Sequence, residues 1–471
     1  VNQEQKQIDM GAAKDIIVAV ELGSSAIRAI AGKRQPDGTL QILAVSQEEN
    51  NNCIRNGIID NLDKTSSAIS RVIKQLDEKL NIQTKKIYIG LSGQSLHTVK
   101  NTVIRSFETK TLITNSMIES LKDINKGTIY PDAKMFEAIP QEYNVGYRTT
   151  SDPVGLQSNV LEACFANVIA RTSLSENIER CVQNASLEVA DIFISPICLS
   201  EALLQNNDKR SGCALVDIGA DTTTIVIYTN NIMRSLTVIP LGGSNVTSDI
   251  ASQNIELDEA EELKLKYGSA LHEEDENKQN NPITISHGRQ IDEHLLQDII
   301  EARYEEILLN AWSRIKEYSD KLLSGITFTG GASRIANLKE AFEKLTNFEH
   351  QIRIAKGLPT SISIANDVRI DTQDTLYTLM ALAISGEPVC AGDPPTEPEP
   401  VQAEIDFAIE QEKDNTDIQT PIEEPEETET ETQDKEEEKQ KKERKKSISF
   451  AEKCKKAWDK INEMLSEPED E

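Results

Sequence analysis

One stretch near the middle of the chain decides the fold: Cys213-Ala-Leu-Val-Asp-Ile-Gly-Ala-Asp-Thr-Thr-Thr-Ile-Val-Ile-Tyr228. Aliphatic residues flank a short polar segment, and they predict two buried strands because such side chains suit a sheet covered on both faces. Asp217 ends the first strand, and Gly219 permits a close backbone approach. The hydroxyls of Thr222 and Thr223, with neighbouring N–H groups, can bind phosphate oxygens. This stretch alone leaves two interpretations open, a nucleotide-phosphate loop and an ordinary β-hairpin.

Two further segments favour the phosphate loop. Near the N-terminus, Asp15-Ile-Ile-Val-Ala-Val-Glu-Leu-Gly-Ser-Ser-Ala-Ile-Arg-Ala-Ile30 repeats the order of apolar strand, carboxylate, glycine, hydroxyls and apolar strand. Two such hairpins, far apart in the chain, predict two similar half-domains that face each other across a cleft. The third segment, Gly325-Ile-Thr-Phe-Thr-Gly-Gly-Ala-Ser-Arg334, predicts a strand that runs into a double glycine, with a helix after it that carries Ile335, Leu338 and Phe342 on one face.

In this order the three segments resemble the actin-fold ATPases, the group of actin, sugar kinases and heat-shock chaperones. The resemblance implies an α/β, actin-like (ribonuclease H-like) fold of two lobes that binds ATP and Mg²⁺ between them. It implies that Glu21 and Asp217 hold Mg²⁺ largely through water, and that the protein positions water rather than attacking covalently. The residues that it implies for nucleotide binding in the three segments are Gly23, Ser24, Ser25, Gly219, Thr222, Thr223, Gly330, Gly331, Ala332 and Arg334.

A segment between the first two hairpins departs from the actin plan. It contains Glu137-Ala-Ile-Pro-Gln-Glu-Tyr-Asn-Val-Gly-Tyr147, then Asp152-Pro-Val-Gly155, then the alternating strand Val160–Ala170. This order resembles the inserted subdomain of the bacterial FtsA cell-division family, which actin, sugar kinases and chaperones lack.

The segment after the central hairpin predicts a strand, a glycine turn at Gly242 and Gly243, and a helix whose N-cap is Ser244 or Asn245. The resemblance to the actin-fold ATPases implies that Gly242 and Gly243 also bind the nucleotide.

Further along, Ala260-Glu-Glu-Leu-Lys-Leu-Lys-Tyr-Gly268 resembles the segment with which actin-fold proteins bind the ribose. Glu261 and Lys264 lie one helical turn apart, so both can point into one cleft, a carboxylate that accepts from sugar hydroxyls and an ammonium that donates. Spacing alone also fits an exposed ion pair.

The composition excludes several classes of protein. The chain has 471 residues and a formal net charge of −29, which disfavours nucleic acid as a partner because phosphates need a basic surface. The seven cysteines are odd in number and lack C-x-x-C spacing, which favours a reducing compartment and no zinc site. Apolar runs stay below the roughly 18 residues of a spanning helix, so we expect only peripheral membrane contact.

Charge changes sign abruptly near the C-terminus. Residues 391–440 contain 19 acidic residues and 3 lysines, whereas residues 441–460 contain 9 basic and 3 acidic residues. The acidic part predicts a disordered, self-repelling linker, and about fifty such residues span about 40 Å on average.

The basic part predicts an amphipathic helix. Helical spacing places Phe450, Cys454, Trp458, Ile461 and Leu465 on one face, with lysines that include Lys453 and Lys456 on its flanks. An apolar stripe edged by lysines is typical of a helix that lies in an anionic membrane surface. A helix docked on the body or in a groove of a partner is the alternative. FtsA proteins end in such a helix after a variable linker, which favours the membrane.

These segments divide the chain. The predicted regions are a flexible extension (1–14), the N-terminal part of the first lobe (15–84), the inserted FtsA-type α+β subdomain (85–170), the C-terminal part of the first lobe (171–210), the second lobe (211–390), the acidic disordered linker (391–445) and the membrane-targeting helix (446–466).

The resemblance to the FtsA family implies a division protein on the cytoplasmic face of the inner membrane. Such a protein binds ATP, assembles with itself into a polymer or dimer, and tethers the ring of the tubulin-like protein FtsZ, whose C-terminal peptide would bind near residues 240–310. Other division proteins are further implied partners. The alternatives are a pilus-assembly-type polymer protein and a sugar-kinase-like or chaperone-like enzyme.

Three departures from the actin-fold pattern predict weak or negligible ATPase activity. Ala26 stands where many relatives carry a lysine, and Ala220-Asp221 replaces a double glycine, which places negative charge near the phosphates. Ser195 precedes Pro196 where chaperones have a glutamate that orients water. Each departure weakens hydrolysis more than binding, so the nucleotide is expected to act as a polymerisation switch.

Overall fold

The structure, a computed structural model, describes residues 15–272, 282–366, 368, 370, 373–388 and 391–392. The predicted N-terminal extension, the predicted membrane helix and all of the predicted linker except its first two residues lie outside this range. The described residues fall within one compact unit of the chain. Among them, no helix combines the length and apolar character needed to cross a membrane.

The strands, in chain order, are β1 (Ile16–Leu22), β2 (Ala26–Arg34), β3 (Leu40–Glu49), β4 (Ile54–Arg55), β5 (Ile58–Ile59), β6 (Gln83–Thr84), β7 (Lys86–Leu91), β8 (His97–Leu112), β9 (Ala133–Val145), β10 (Arg148–Thr150), β11 (Gln157–Arg171), β12 (Glu188–Ile194), β13 (Cys213–Ile218), β14 (Thr223–Thr229), β15 (Ile232–Ile239), β16 (Ile283–Thr284), β17 (Gln290–Ile291), β18 (Ile326–Thr329), β19 (Ile352–Ile354), β20 (Ile362–Ile364) and β21 (Ala391–Gly392). The α-helices are α1 (Leu62–Leu80), α2 (Asn115–Lys126), α3 (Thr172–Asn184), α4 (Ser195–Leu203), α5 (Asn206–Ser211), α6 (Gly243–Ala251), α7 (Leu257–Tyr267), α8 (Glu293–Ile315), α9 (Leu338–Thr346) and α10 (Tyr377–Ser385).

Two sheets share one plan. In the first sheet, with order β12-β7-β1-β2-β3-β20, β1 to β3 form an antiparallel meander, and β7 and β12 continue it in parallel beyond β1. In the second sheet, β13 to β15 form the same meander, and β18 and β19 continue it in parallel beyond β13. The β1–β2 turn and the β13–β14 turn therefore occupy equivalent positions. This repeat confirms the predicted actin-like α/β fold.

The β13–β14 hairpin is buried on both faces, as its apolar runs predicted. Leu215 and Val226 pack into the core that contains the first sheet. Val216 and Ile225 point the other way and pack into the core that contains α6, α8 and α9. Alternate residues of one hairpin thus supply both cores, because successive strand side chains point to opposite faces.

The inserted segment is an antiparallel sheet of β8, β9, β10 and β11 with α2 packed on it. It extends the second sheet, because His97 of β8 pairs with Thr237 of β15. The Ile-Pro-Gln-Glu-Tyr motif lies at this junction. Gln141 donates to the Met233 carbonyl at 2.9 Å, and Arg234 forms an ion pair with Glu142 at 2.5 Å. The motif therefore fastens the insertion to the second lobe.

Two strands and one helix lie in a different part of the fold from the one that the sequence predicted. Strand β7, inside the predicted insertion 85–170, belongs to the first sheet. Strand β20 and helix α10, inside the predicted second lobe 211–390, return to the first: β20 pairs with β3, and α10 packs on β1, β2, β7 and α4. Leu379, Met380 and Leu382 are fully buried there, because a helix that is apolar all round must be covered on every side.

Two helices follow a 3-10 turn, and the second of these two begins later than the sequence predicted. A 3-10 turn, Gln373–Leu376, precedes α10, which begins at Tyr377. After the double glycine, a 3-10 turn spans Gly331–Arg334, and α9 begins only at Leu338, so that Ile335 precedes the helix.

Arg34 stabilises the end of α10 on the first sheet, which makes a testable prediction. Its Nη2 donates to the carbonyls of Ile384 at 2.9 Å and of Gly386 at 2.8 Å, and carbonyls at a helix end lack intrahelical partners. Arg34→Met keeps much of the stem and removes the donors. We expect the free energy of unfolding, measured by chemical denaturation, to fall by about 1–3 kcal/mol.

The matched control is Arg180→Met on α3, whose guanidinium lies 3.8 Å from the exposed Glu176 carboxylate. We expect a change within about 0.5 kcal/mol there. Equal losses in the two variants would contradict the role assigned to Arg34.

Candidate functional site

A cleft of about 1000 Å³ lies between the β1–β2 turn and the β13–β14 turn. The structure places most of the predicted site residues on its wall. They are Glu21, Gly23, Ser24, Ser25, Asp217, Gly219, Thr222, Gly243, Glu261, Lys264, Gly330, Gly331, Ala332 and Arg334. The three glycine-containing segments, which are far apart in the chain, therefore meet at one cavity.

Two predicted residues, Thr223 and Gly242, are not among those that line the cleft. Thr223 is buried within β14, where its hydroxyl donates to the Leu241 carbonyl at 2.8 Å. Gly242 lies beneath the β13–β14 turn, where a side chain would overlap the Ala220 carbonyl.

The predicted N-cap of the following helix was also wrong. Gly242 itself is the N-cap of α6, and Ser244 and Asn245 lie in the first turn of this helix. Asn245 still contributes to capping, because its Oδ1 accepts from the Gly242 N–H at 2.9 Å. The close approach of the backbone to Ala220 excludes any residue with a side chain from the capping position.

Gly330 is the position where the cleft depends most strictly on glycine. Its φ of 88° lies in the left-handed region, and a side chain there would overlap the Asp217 carboxylate and the Ile218 carbonyl. At Gly23, a Cβ would lie 2.7 Å from the Ala26 carbonyl oxygen. The cleft wall is therefore bare backbone at these turns, which is the surface that a phosphate group can approach closely.

Two carboxylates face each other at the bottom of the cleft. Burial raises the pKa of Asp217 to about 7, and repulsion from Glu21 contributes to this rise. Burial also raises the pKa of Glu21, which the Arg28 guanidinium partly opposes. The Arg28 Nη1 lies 3.9 Å from Glu21 Oε2, and among the described residues none makes a hydrogen bond to this oxygen. Arg28 therefore supplies only part of the positive charge that would balance the two carboxylates.

A divalent cation fits this pair. Hard cations such as Mg²⁺ prefer oxygen ligands and are commonly held by one or two carboxylates together with water and substrate phosphates. Within the described part of the chain, no group of three or more His, Cys, Asp or Glu side chains is arranged to hold a metal. A cation at Glu21 and Asp217 would thus depend on water and ligand oxygens for its other ligands.

Glu261 and Lys264 lie on α7 at the cleft, and they bind each other at 2.6 Å. The lysine is buried, and it also donates to the Thr247 hydroxyl at 2.9 Å and to the Gly243 carbonyl at 3.1 Å. The pair is therefore anchored to the glycine turn before α6, unlike the simple surface ion pair that the spacing also allowed. Glu261 stays partly exposed and can still accept from a ligand hydroxyl.

Among the lining residues that the sequence did not assign to the site are Arg28 and Tyr304. Arg28 on β2 is largely buried, and its Nε has no partner among the described residues. An arginine between the apolar residues of a predicted strand was the signal that could have revealed it, because a buried charge is costly unless it is paired. Tyr304 on α8 donates to the Ala332 carbonyl at 2.8 Å, and burial raises the pKa of its hydroxyl. Through this hydrogen bond, Tyr304 holds the double-glycine segment in place.

The repeated sheets and the glycine-walled cleft between them define an actin-like protein, a class whose ATPase members suggest a nucleotide as ligand. A solved structure titled "PilM-PilN type IV pilus biogenesis complex" superposes with a TM-score of 0.52 over 78% of this chain and 97% of that one, at 15% sequence identity. At this identity the likeness supports the fold alone.

The family model "Cell division protein FtsA" matches residues 214–372. The protein of this name from Porphyromonas gingivalis is 29% identical over 372 residues, which cover 77% of this chain and 75% of the relative. Its namesake from Escherichia coli K12 is 27% identical over 369 residues, 75% of this chain and 86% of the relative. The resemblance to the FtsA family that the sequence predicted is thereby confirmed: the chain is similar over about three quarters of its length to bacterial proteins of that name.

The raised pKa of Asp217 predicts an unusual dependence of stability on pH. Between its ordinary value of 3.8 and about 7, the folded chain keeps a proton on Asp217 that the unfolded chain has released. The contribution of this group to stability therefore falls as pH rises through that window. Asp217→Asn removes the effect, so with chelator present the variant should gain about 1–3 kcal/mol over wild type between pH 5 and pH 8.

Chemical denaturation at the two pH values measures this difference. Asp152→Asn, at an exposed turn, is the control and should not reproduce the trend. A wild type that gains stability relative to Asp217→Asn as pH rises would show that the sign is wrong.

Proposed function

We propose that this chain is a bacterial cell-division protein that binds ATP with Mg²⁺ in the cleft, assembles with itself, and tethers the FtsZ ring to the inner face of the cytoplasmic membrane. The observation that carries the nucleotide site is the convergence of Gly23, Gly219 and Gly330 on one cavity with the Glu21–Asp217 pair at its base. The names of the sequence relatives support the division role.

Different groups of the chain would bind the phosphates, the ribose and the metal ion. The bare backbone of the two turns and the hydroxyls of Ser24, Ser25 and Thr222 would bind the phosphates, and Glu261 would accept from the ribose. Glu21 and Asp217 would hold Mg²⁺, which neutralises phosphate charge when bound. Mg²⁺ would thereby also relieve the repulsion between the two carboxylates.

Slow hydrolysis of ATP would follow from the residues that lie beside this site. Ser195, at the start of α4, lines the cleft with Pro196, and a hydroxyl cannot accept a proton from water as a carboxylate can. The nucleotide would then act as a switch for assembly rather than as a rapidly consumed substrate.

Gly330→Ala tests the nucleotide site. The added methyl would overlap Asp217, so we expect the affinity for Mg-ATP, measured by calorimetry, to fall at least about tenfold, which corresponds to 1.4 kcal/mol. Gly38→Ala is the matched control: Gly38 has nearly the same φ, 87°, but nothing lies within 4 Å of the added carbon. It therefore has the same backbone strain without the overlap, and it should bind as wild type does.

Single-turnover hydrolysis at saturating Mg-ATP completes this test. Rapid hydrolysis by the wild type would contradict the proposed switch, and equal affinities in Gly330→Ala and Gly38→Ala would contradict the proposed site.

The proposed partner surface lies on the second lobe near residues 240–310. Helices α6, α7 and α8 pack together there, and Arg303 on α8 donates to Asp249 on α6 at 2.6 Å. This surface is the one that we propose for the short C-terminal peptide of FtsZ. The membrane contact is proposed from the sequence of residues 446–466, which lie outside the described residues.

Co-sedimentation with anionic liposomes tests the tether. We expect the full chain to sediment with the vesicles and to bring FtsZ with it, because a lysine-edged apolar helix buries its apolar face and attracts anionic head groups. Deletion of residues 446–471 should abolish both effects while leaving Mg-ATP binding unchanged. Sedimentation that survives the deletion would disprove the anchor, and sedimentation without FtsZ would disprove the tether.

A further inference from the structure

A carboxylate bridges the two lobes across the cleft. Asp221 lies in the β13–β14 turn of the second lobe and lines the cavity. Its Oδ2 accepts a hydrogen bond of 3.1 Å from the backbone N–H of Asn56, which lies between β4 and β5 on the side of the first lobe. The two residues are 165 positions apart in the chain. This contact joins one phosphate-type turn directly to the opposite lobe.

The donor side of this contact is fixed in place. Asn56 has a φ of 50°, and Gly57 has a φ of 70°. The Gly57 N–H donates to the Ser24 hydroxyl at 3.1 Å, and the Asn56 carbonyl accepts from Gln94 N–H at 3.0 Å. Asn56 and Gly57 therefore bind the first turn through Ser24 and the second turn through Asp221.

The charge of Asp221 adds to that of the pair already described. With Asp221, the carboxylates that line the cleft are those of Glu21, Glu49, Asp217, Asp221, Asp258 and Glu261. Lys264 is engaged by Glu261 at 2.6 Å, which leaves Arg28, Lys266 and Arg334 as the other cations on the wall. A ligand phosphate that approaches the β13–β14 turn meets a like charge, and like charges in a partly buried site repel. Each additional phosphate charge raises this cost.

We propose that Asp221 makes the site select between nucleotides by their number of phosphates. Its carboxylate accepts the hydrogen bond from the opposite lobe that a terminal phosphate could otherwise accept. It therefore lowers the affinity for a nucleoside triphosphate relative to the diphosphate. The bridge also keeps the lobes connected when no terminal phosphate is bound. The selectivity rests on the proposed nucleotide site, whereas the bridge does not.

Hydrogen exchange of the nucleotide-free chain tests the bridge. In overlapping peptides that contain Asn56, the amide should be protected in wild type, and it should exchange at least about tenfold faster in Asp221→Gly because its acceptor is gone. Asp221→Asn keeps an acceptor oxygen and should retain most of the protection. Equal exchange at Asn56 in wild type and Asp221→Gly would overturn the bridge, provided that the remaining peptides show both proteins folded.

Asp37→Gly is the matched control for exchange. Asp37 Oδ1 accepts from the Thr39 N–H at 2.9 Å in an exposed turn outside the cleft. The variant should accelerate exchange at Thr39 alone. Faster exchange at Asn56 in Asp37→Gly would show that the loss of a carboxylate outside the cleft also loosens the segment around Asn56. This result would count against a specific bridge through Asp221.

The ratio of ATP to ADP affinity at saturating Mg²⁺ tests the selectivity. Asp221→Asn removes the charge and should shift the ratio toward ATP about tenfold relative to wild type, whereas Asp37→Asn should leave it unchanged. An unchanged ratio in Asp221→Asn, with both nucleotides still bound, overturns the selectivity alone. Failure of the wild type to bind either nucleotide overturns the proposed nucleotide site and the selectivity with it, while the exchange experiment still decides the bridge.

Discussion

The repulsion between two buried carboxylates is the constraint on which the cleft depends. Glu21 and Asp217 each end the first strand of a three-strand meander, and the repeated topology of the two sheets brings these strand ends together. Burial and mutual repulsion raise the pKa of Asp217 to about 7, since the charged form lacks both water and a full counter-charge. A cation held by the two carboxylates would stabilise their charged form. The bare glycine backbone around it leaves room for the oxygens that would complete the coordination.

The local features of the cleft were predictable from the sequence, because each depends on residues that are neighbours in the chain. Runs of aliphatic residues predicted both hairpins, and the third segment predicted the strand that runs into the double glycine at Gly330. The order of the three segments predicted that they would meet. Each of these inferences needs only short-range periodicity or a fixed motif.

The remaining features depend on pairings between distant residues, which a single sequence does not encode in a readable form. The return of β20 to the edge strand β3 and the burial of α10 on the first sheet are contacts of this kind. So is the Asp221–Asn56 hydrogen bond, whose two partners lie in unrelated segments. Gly242 was misassigned for a related reason: its own segment suggested a phosphate contact and a cap at the next residues, whereas the Ala220 carbonyl above it decides both.

The attachment of the last described residues has a mechanical consequence. Arg34 binds the end of α10, the Tyr88 hydroxyl accepts from the Glu387 N–H at 3.0 Å, and β21 pairs with β6. All three contacts attach this segment to the first lobe. A pulling force on the polypeptide beyond Gly392 is therefore resisted by the first lobe, and the second lobe with its insertion carries none of that tension directly.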